Sequence, residues 1–252
     1  MFASAHDFPK FVQWVPQWTT NFGKWALAMA TTMKTNEQED PCAEVRRGRG
    51  RPQARCDEDT RALIFEAART EFAASGYAAT SMDSVARRAG VSTKTLYRLI
   101  PNKAALFEAM ITDRIDTFAS VVRLRACDGS NIEKALHEAL MVCGELILAG
   151  DVISLQRVIL GDSEKFPEIA ETFYTKAIRR TEQTLANWLR AQSERGLVKI
   201  DDAEASAGML LGMLVFQPQR AVLFGHAPPP TRAQLERRAQ AVAALFLHGC
   251  AP

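Results

Sequence analysis

A chain of 252 residues with 47% apolar side chains is long enough to bury the cores of one small and one larger domain. Its formal net charge of +2 is too small to point to a polyanionic partner by itself, so the placement of the charges has to say more. Five cysteines (Cys42, Cys56, Cys127, Cys143 and Cys250) are odd in number and lack C-x-x-C spacing, which excludes a disulfide framework and a zinc site and fits a reduced, cytoplasmic setting. Cys143 lies among apolar helical positions and reads as a buried, inert thiol.

In residues 1–33, Phe8, Phe11, Val15, Trp18, Phe22, Trp25 and Met29 recur at alternating steps of three and four, a helical stripe interrupted by Pro16. Lys10 and Lys24 break the stripe well short of a bilayer span, and there is no continuous apolar run with a small-residue cleavage site. Three readings stand for this stretch: a helix packed on the protein's own body, an amphipathic helix on a membrane surface, or an upstream extension with Met29 or Met33 as the true start. No stable membrane association is expected.

Residues 34–58 are polar, with Pro41, Gly48, Gly50 and Pro52, and read as a linker. Arg46, Arg47, Arg49, Arg51 and Arg55 fall there without an acid between them. Arg49-Gly50-Arg51-Pro52 resembles the core of an AT-hook, an arm for the narrow minor groove, where negative potential is concentrated. Residues 1–56 are thus expected to form an extension and basic arm.

The first helix is expected from Asp59 to Ala74, with Ile64, Phe65, Ala68 and Phe72 inside and Gly76 beyond its end. Thr80–Lys103 then holds two short helical patterns meeting at Gly90, the place where the chain must reverse. Thr80 or Ser81 can cap the first and Ser92 the second, because a short side-chain oxygen accepts from orphan N–H groups. Two helices joined by a short turn containing glycine make a helix-turn-helix, whose second helix suits a major groove. That helix carries Thr93, Lys94, Thr95, Tyr97 and Arg98, with no acid between Ser92 and Lys103.

Phe72, Gly76-Tyr77, Thr80, Val85-Ala86, Ala89-Gly90-Val91-Ser92, Thr95-Leu96-Tyr97 and Asn102-Lys103 together resemble the N-terminal signature of the tetracycline-repressor (TetR) family. The resemblance implies an all-α protein: a three-helix DNA reader over 57–105, then a helical ligand-binding and dimerisation domain over 106–252. It implies phosphate contacts from Thr80, Ser92 and Tyr97, groove contacts from Thr93, Lys94, Thr95 and Arg98, and a phosphate held by Lys103. Leu99 and Ile100 depart from the pattern, which has His or Tyr and then Phe.

Leu106, Phe107, Met110, Ile111, Ile115, Phe118 and Val122 mark a longer amphipathic helix, and Cys127–Ser130 a loop. Further helices are expected at Asn131–Ala149, Asp151–Leu160, Pro167–Arg195, from Asp201 or Asp202 to Phe216 with a stop before Pro218, and Thr231–Leu247. Glu164-Lys165-Phe166-Pro167-Glu168, Phe173-Tyr174, Gly196-Leu197 and Asp201-Asp202 resemble the AefR-like C-terminal domain. That resemblance implies a ligand-responsive repressor.

No G-x-S-x-G, G-x-x-x-x-G-K-[ST] or H-E-x-x-H stands in the chain, so no catalytic or metal-binding residues and no cofactor are assigned. Leu140, Cys143, Leu146, Phe173, Trp188, Met209 and Met213 could line an apolar ligand cavity, or be plain core. The sequence therefore reads as a homodimeric repressor of transcription, bound to a near-palindromic double-stranded operator and released by a small, apolar effector. The alternative is a membrane-surface or protein-interaction module that uses the aromatic N-terminus.

Overall fold

Helix formation begins in a run of acids. Asp57, Glu58 and Asp59 fill the first turn of α1 (Asp57–Ala79), where the positive end of the helix dipole favours them. The computed structural model describes residues 56–125 and 131–249. The aromatic stripe, the linker with Arg49 and Arg51, the Cys127–Ser130 stretch and Cys250 lie outside the described residues.

Gly76 (φ 79°, ψ 169°) breaks α1 before its last residues, so the expected end near Ala74 survives as a kink. Ser81 then caps α2 (Met82–Ala89) in a reciprocal box with Ser84, and Gly90 closes it in the left-handed region at φ 66°. Ser92 caps α3 (Thr93–Leu99) by accepting from the Thr95 N–H. The expected inner stripe of α1 is buried, together with Val85, Leu96 and Ile100.

Helix α4 (Lys103–Arg125) packs on α1 and, further along, on α5 (Ile132–Ile147) and α8 (Arg179–Glu194), so it runs straight through the expected boundary at 105. Helix α6 (Gly150–Asp162) lies chiefly against α1. The expected long helix from Pro167 is α7 (Pro167–Phe173), a π-helical turn (Tyr174–Ile178) and α8 in unbroken succession. Helices α9 (Ala203–Leu223, capped by Asp202) and α10 (Arg232–Gly249) complete the chain. Among the described residues every regular element is helical.

The clearest departure from expectation is α9, which continues through Pro218 to Leu223. Proline has no N–H to give to the carbonyl four residues back, here Leu214. Arg238 of α10 supplies the donor instead. Its Nε donates to the carbonyls of Leu214 (2.7 Å) and Met213 (3.0 Å), its Nη2 to Met213 (2.7 Å), and its Nη1 to Gln217 Oε1 (3.0 Å). Arg157 of α6 donates likewise to the carbonyls of Val222 and Leu223 at the end of α9. Arg238→Ala should therefore lower the unfolding free energy by about 2–3 kcal/mol in urea titration, and Arg238→Lys should recover only part of it.

Candidate nucleic-acid interface

The reader's outer surface follows from helical geometry. Leu96 is fully buried on α3, and at about 100° per residue Lys94 and Arg98 stand about 160° around the helix from it, to either side of that buried point. Ser92, Thr93, Lys94, Tyr97 and Arg98 are exposed and Thr95 is half-buried. These are hydroxyls, a phenol and cations, groups that hydrogen-bond phosphates and base edges. Leu99 is half-buried and Ile100 buried, so both departures from the expected pattern pack inward.

Four of these side chains, Ser92, Thr93, Thr95 and Arg98, have partners that fix them. The Ser92 hydroxyl accepts from the Thr95 N–H at 3.0 Å and lies 2.8 Å from the Thr95 hydroxyl. Thr93 Oγ1 donates to Asp83 Oδ1 of α2 at 3.2 Å. Arg98 forms a two-pronged pair with Asp57 at the head of α1, Nη1 to Oδ2 at 2.9 Å and Nη2 to Oδ1 at 2.7 Å. The pair, led by its hydrogen bonds, holds the Asp57 carboxyl below its ordinary range and raises the Arg98 guanidinium.

Thr80 and Lys103 lie deeper than the surface groups. Thr80 is buried, its hydroxyl donating to the Gly76 carbonyl at 2.7 Å. Lys103 Nζ donates to the carbonyls of Tyr77 (2.7 Å), Ala78 (3.3 Å) and Thr80 (3.1 Å), and sits 4.5 Å from the centroid of the Tyr77 ring. An ammonium has three N–H donors, and three carbonyls take them. A phosphate at Lys103 would have to displace one. Burial pulls the Lys103 pKa below its ordinary value, while Asp162 and Glu168 oppose the shift.

The same junction ties the reader to the second domain. Asp162, the last residue of α6, accepts from the Tyr77 N–H at 3.0 Å and the Ala78 N–H at 3.4 Å. The Phe166 ring meets Tyr77 edge-on at 5.2 Å, and Tyr77 in turn packs with Phe72 and Phe107. Lys176–Glu108 and Arg180–Asp116 ion pairs join α4 to the segment after Pro167.

Residues 64–110 match the family described as bacterial regulatory proteins, tetR family, and residues 134–249 match the AefR-like transcriptional repressor C-terminal domain. The chain belongs to the TetR family. It is a transcriptional regulator with a DNA-binding helix-turn-helix. A relative, the HTH-type transcriptional regulator YhgD of Bacillus subtilis, is 26% identical over 161 residues, which covers 62% of this chain and 81% of that one. A TetR-family regulator from Mesorhizobium loti is similar in structure at 26% identity and TM-score 0.67, over 77% of this chain and 97% of the other. The Flavonoid-responsive Regulator FrrA is similar at 25% identity and TM-score 0.62, over 77% and 98%.

In this TetR-family chain, the expected ligand-lining residues divide. Leu140, Cys143, Leu146, Phe173 and Trp188 are buried and Met213 is half-buried against the same core. Met209 is 65% exposed on the outer side of α9, away from them. Burial pushes the Cys143 thiol up to about 12, so it stays protonated and inert. Among the described residues no helix is long and apolar enough to cross a membrane.

Sequence reasoning missed the ties made by Asp57, Asp83 and Asp162, each an acid that fixes a part of the reader. Asp162 is 85 residues from its partner at Tyr77, a separation that leaves no local signal. Exposed Arg87 in the last turn of α2 adds a cation beside the reader that the basic sequence Arg87-Arg88 could have suggested; Arg88 is paired with Glu71.

Proposed function

We propose that the protein is a homodimeric repressor that holds a near-palindromic operator and leaves it when a small, largely apolar molecule binds the second domain. The observation that carries the dimer is the outer side of α9 with its neighbour α10. Gly208 and Gly212 are exposed there with open space at each Cβ position, flanked by exposed Met209, Phe216 and, on α10, Leu245. Two glycines in an exposed helix interior cost about 1 kcal/mol each relative to alanine, and among the described residues nothing requires them. A second copy packed closely on this side gives them a use and covers the apolar side chains.

Two readers related by a two-fold axis would bind half-sites ~34–36 Å apart, one helical turn of DNA. The AefR-like domain supports repression, and the buried apolar group from Leu140 to Met213 supports an apolar guest. FrrA is described as flavonoid-responsive, which supports an aromatic organic molecule as the first class to try. Arg51 precedes Asp57 by a stretch that spans ~20 Å when extended, long enough to lay Arg49 and Arg51 in the minor groove beside the half-site.

Selection of binding sites from a random duplex library by the purified protein tests the reading. The expected product is an inverted repeat with A·T-rich flanks. Recovery of a single, unrepeated half-site would overturn the dimeric part, and no enrichment at low salt would overturn the operator.

A further inference from the structure

The position of Arg98 and the direction of its side chain give different impressions. Its Cα stands on the outward side of α3, opposite the core, where a guanidinium can pair two-pronged with guanine. End-on, that recognition uses both Nη atoms, and that edge of the guanidinium is taken by the two oxygens of Asp57.

The pair is anchored at each end. Asp57 opens α1, whose first turn is held by Thr60: its N–H (3.1 Å) and hydroxyl (2.9 Å) both donate to the Cys56 carbonyl. Thr60 is buried, so this turn is fixed to the core. Arg98 lies in the last turn of α3. An acid at a helix start and a cation at a helix end are each favoured by the dipole of their own helix, and the fork joins the two. Isolated exposed ion pairs contribute little, but a two-pronged guanidinium–carboxylate pair with both partners pre-placed is the favourable case.

We propose that Arg98 is a positioning residue, not a base reader: its fork with Asp57 fixes the C-terminal end of the recognition helix to the head of α1 and neutralises a carboxylate at the edge of the DNA-facing surface. This rests on the operator-binding reading above. Two consequences follow from charge alone. Direct base reading on α3 falls to Thr93, Lys94 and Thr95. Asp57 also keeps a guanidinium from binding phosphates indiscriminately, so the acid serves selectivity.

Site selection and salt titration on four full-length variants test it. Both side chains are more than half exposed (57% and 56%), so the variants should fold, which thermal melts will verify. Arg98→Ala should weaken binding to every duplex alike, by about 5–10-fold, with no base position of the selected motif relaxed. Asp57→Asn combined with Arg98→Ala removes the stranded carboxylate and should regain only the part of that loss due to its charge, the part due to the missing fork remaining. The exchange of Asp57→Arg with Arg98→Asp should keep the motif. Asp57→Asn alone frees one guanidinium per protomer and should steepen the salt slope on a random-sequence duplex by about 0.9 per reader. For a dimer that is roughly a twelvefold larger loss of affinity between 50 and 200 mM salt.

Relaxation of the same base pair in each half-site by both Arg98→Ala and the double variant would overturn the assignment and make Arg98 a reader. An unchanged salt slope for Asp57→Asn would overturn it as well, on DNA of any sequence. Failure of the unaltered protein to enrich any motif would instead sink the operator reading, with the salt slopes still deciding the fork.

Discussion

Lys103→Met is expected to lower the unfolding free energy by about 2–4 kcal/mol, roughly 5–12 °C in melting temperature for a protein of this size. The methionine keeps most of the side-chain volume but removes the charge that binds the carbonyls of Tyr77, Ala78 and Thr80. Those carbonyls lie at the end of α1, where the helix has broken at Gly76 and its last acceptors need outside donors. The side chain is only half-buried, which keeps the figure below the sum for three fully buried charged hydrogen bonds. Asp162 holds N–H groups of the same turn, so Lys103 and Asp162 grip one segment from both its carbonyl and its amide sides. A salt slope of DNA binding that falls by one unit, with an unchanged melt, would reverse this role and return Lys103 to a phosphate.

Gly212→Arg should separate the protein into monomers and reduce operator affinity by at least about a hundredfold. Among the described residues, nothing lies within 4 Å of the added Cβ, and arginine is the better helix former, so the isolated chain should be as stable as before or slightly more so. In the proposed dimer each new guanidinium would be buried against the copy packed on this side, where Met209 and Phe216 should be covered. A monomer keeps one reader and loses the advantage of a tethered second half-site. Light scattering coupled to gel filtration, with mobility-shift titration on the selected operator, reads both effects. An unchanged dimer mass would move the interface elsewhere.

The helical character of the chain and the layout of the reader were legible because their signals act over a single turn. Ser81 and Ser92 cap the N–H groups a few residues ahead of them, Gly90 turns the chain where a left-handed residue is needed, and Ile64, Phe65, Ala68 and Phe72 share one side of α1. Each depends on neighbours that the sequence itself places. Pro218 shows the limit. Read locally it ends a helix; in the fold α9 passes through it because Arg238 of the next helix serves the Leu214 carbonyl.

The long charged side chains follow the same division. Composition and spacing place Lys103 and Arg98 at the reader, yet each can swing through several ångströms and bind whatever group the fold brings within reach. Tertiary packing brought the carbonyls after Gly76 to Lys103 and Asp57, 41 residues back, to Arg98. The sequence by itself determined where helices start, turn and present an apolar side. Which charges found partners inside the protein was decided by tertiary structure, because an ion pair depends on distance in space and those distances exist only once the helices are packed.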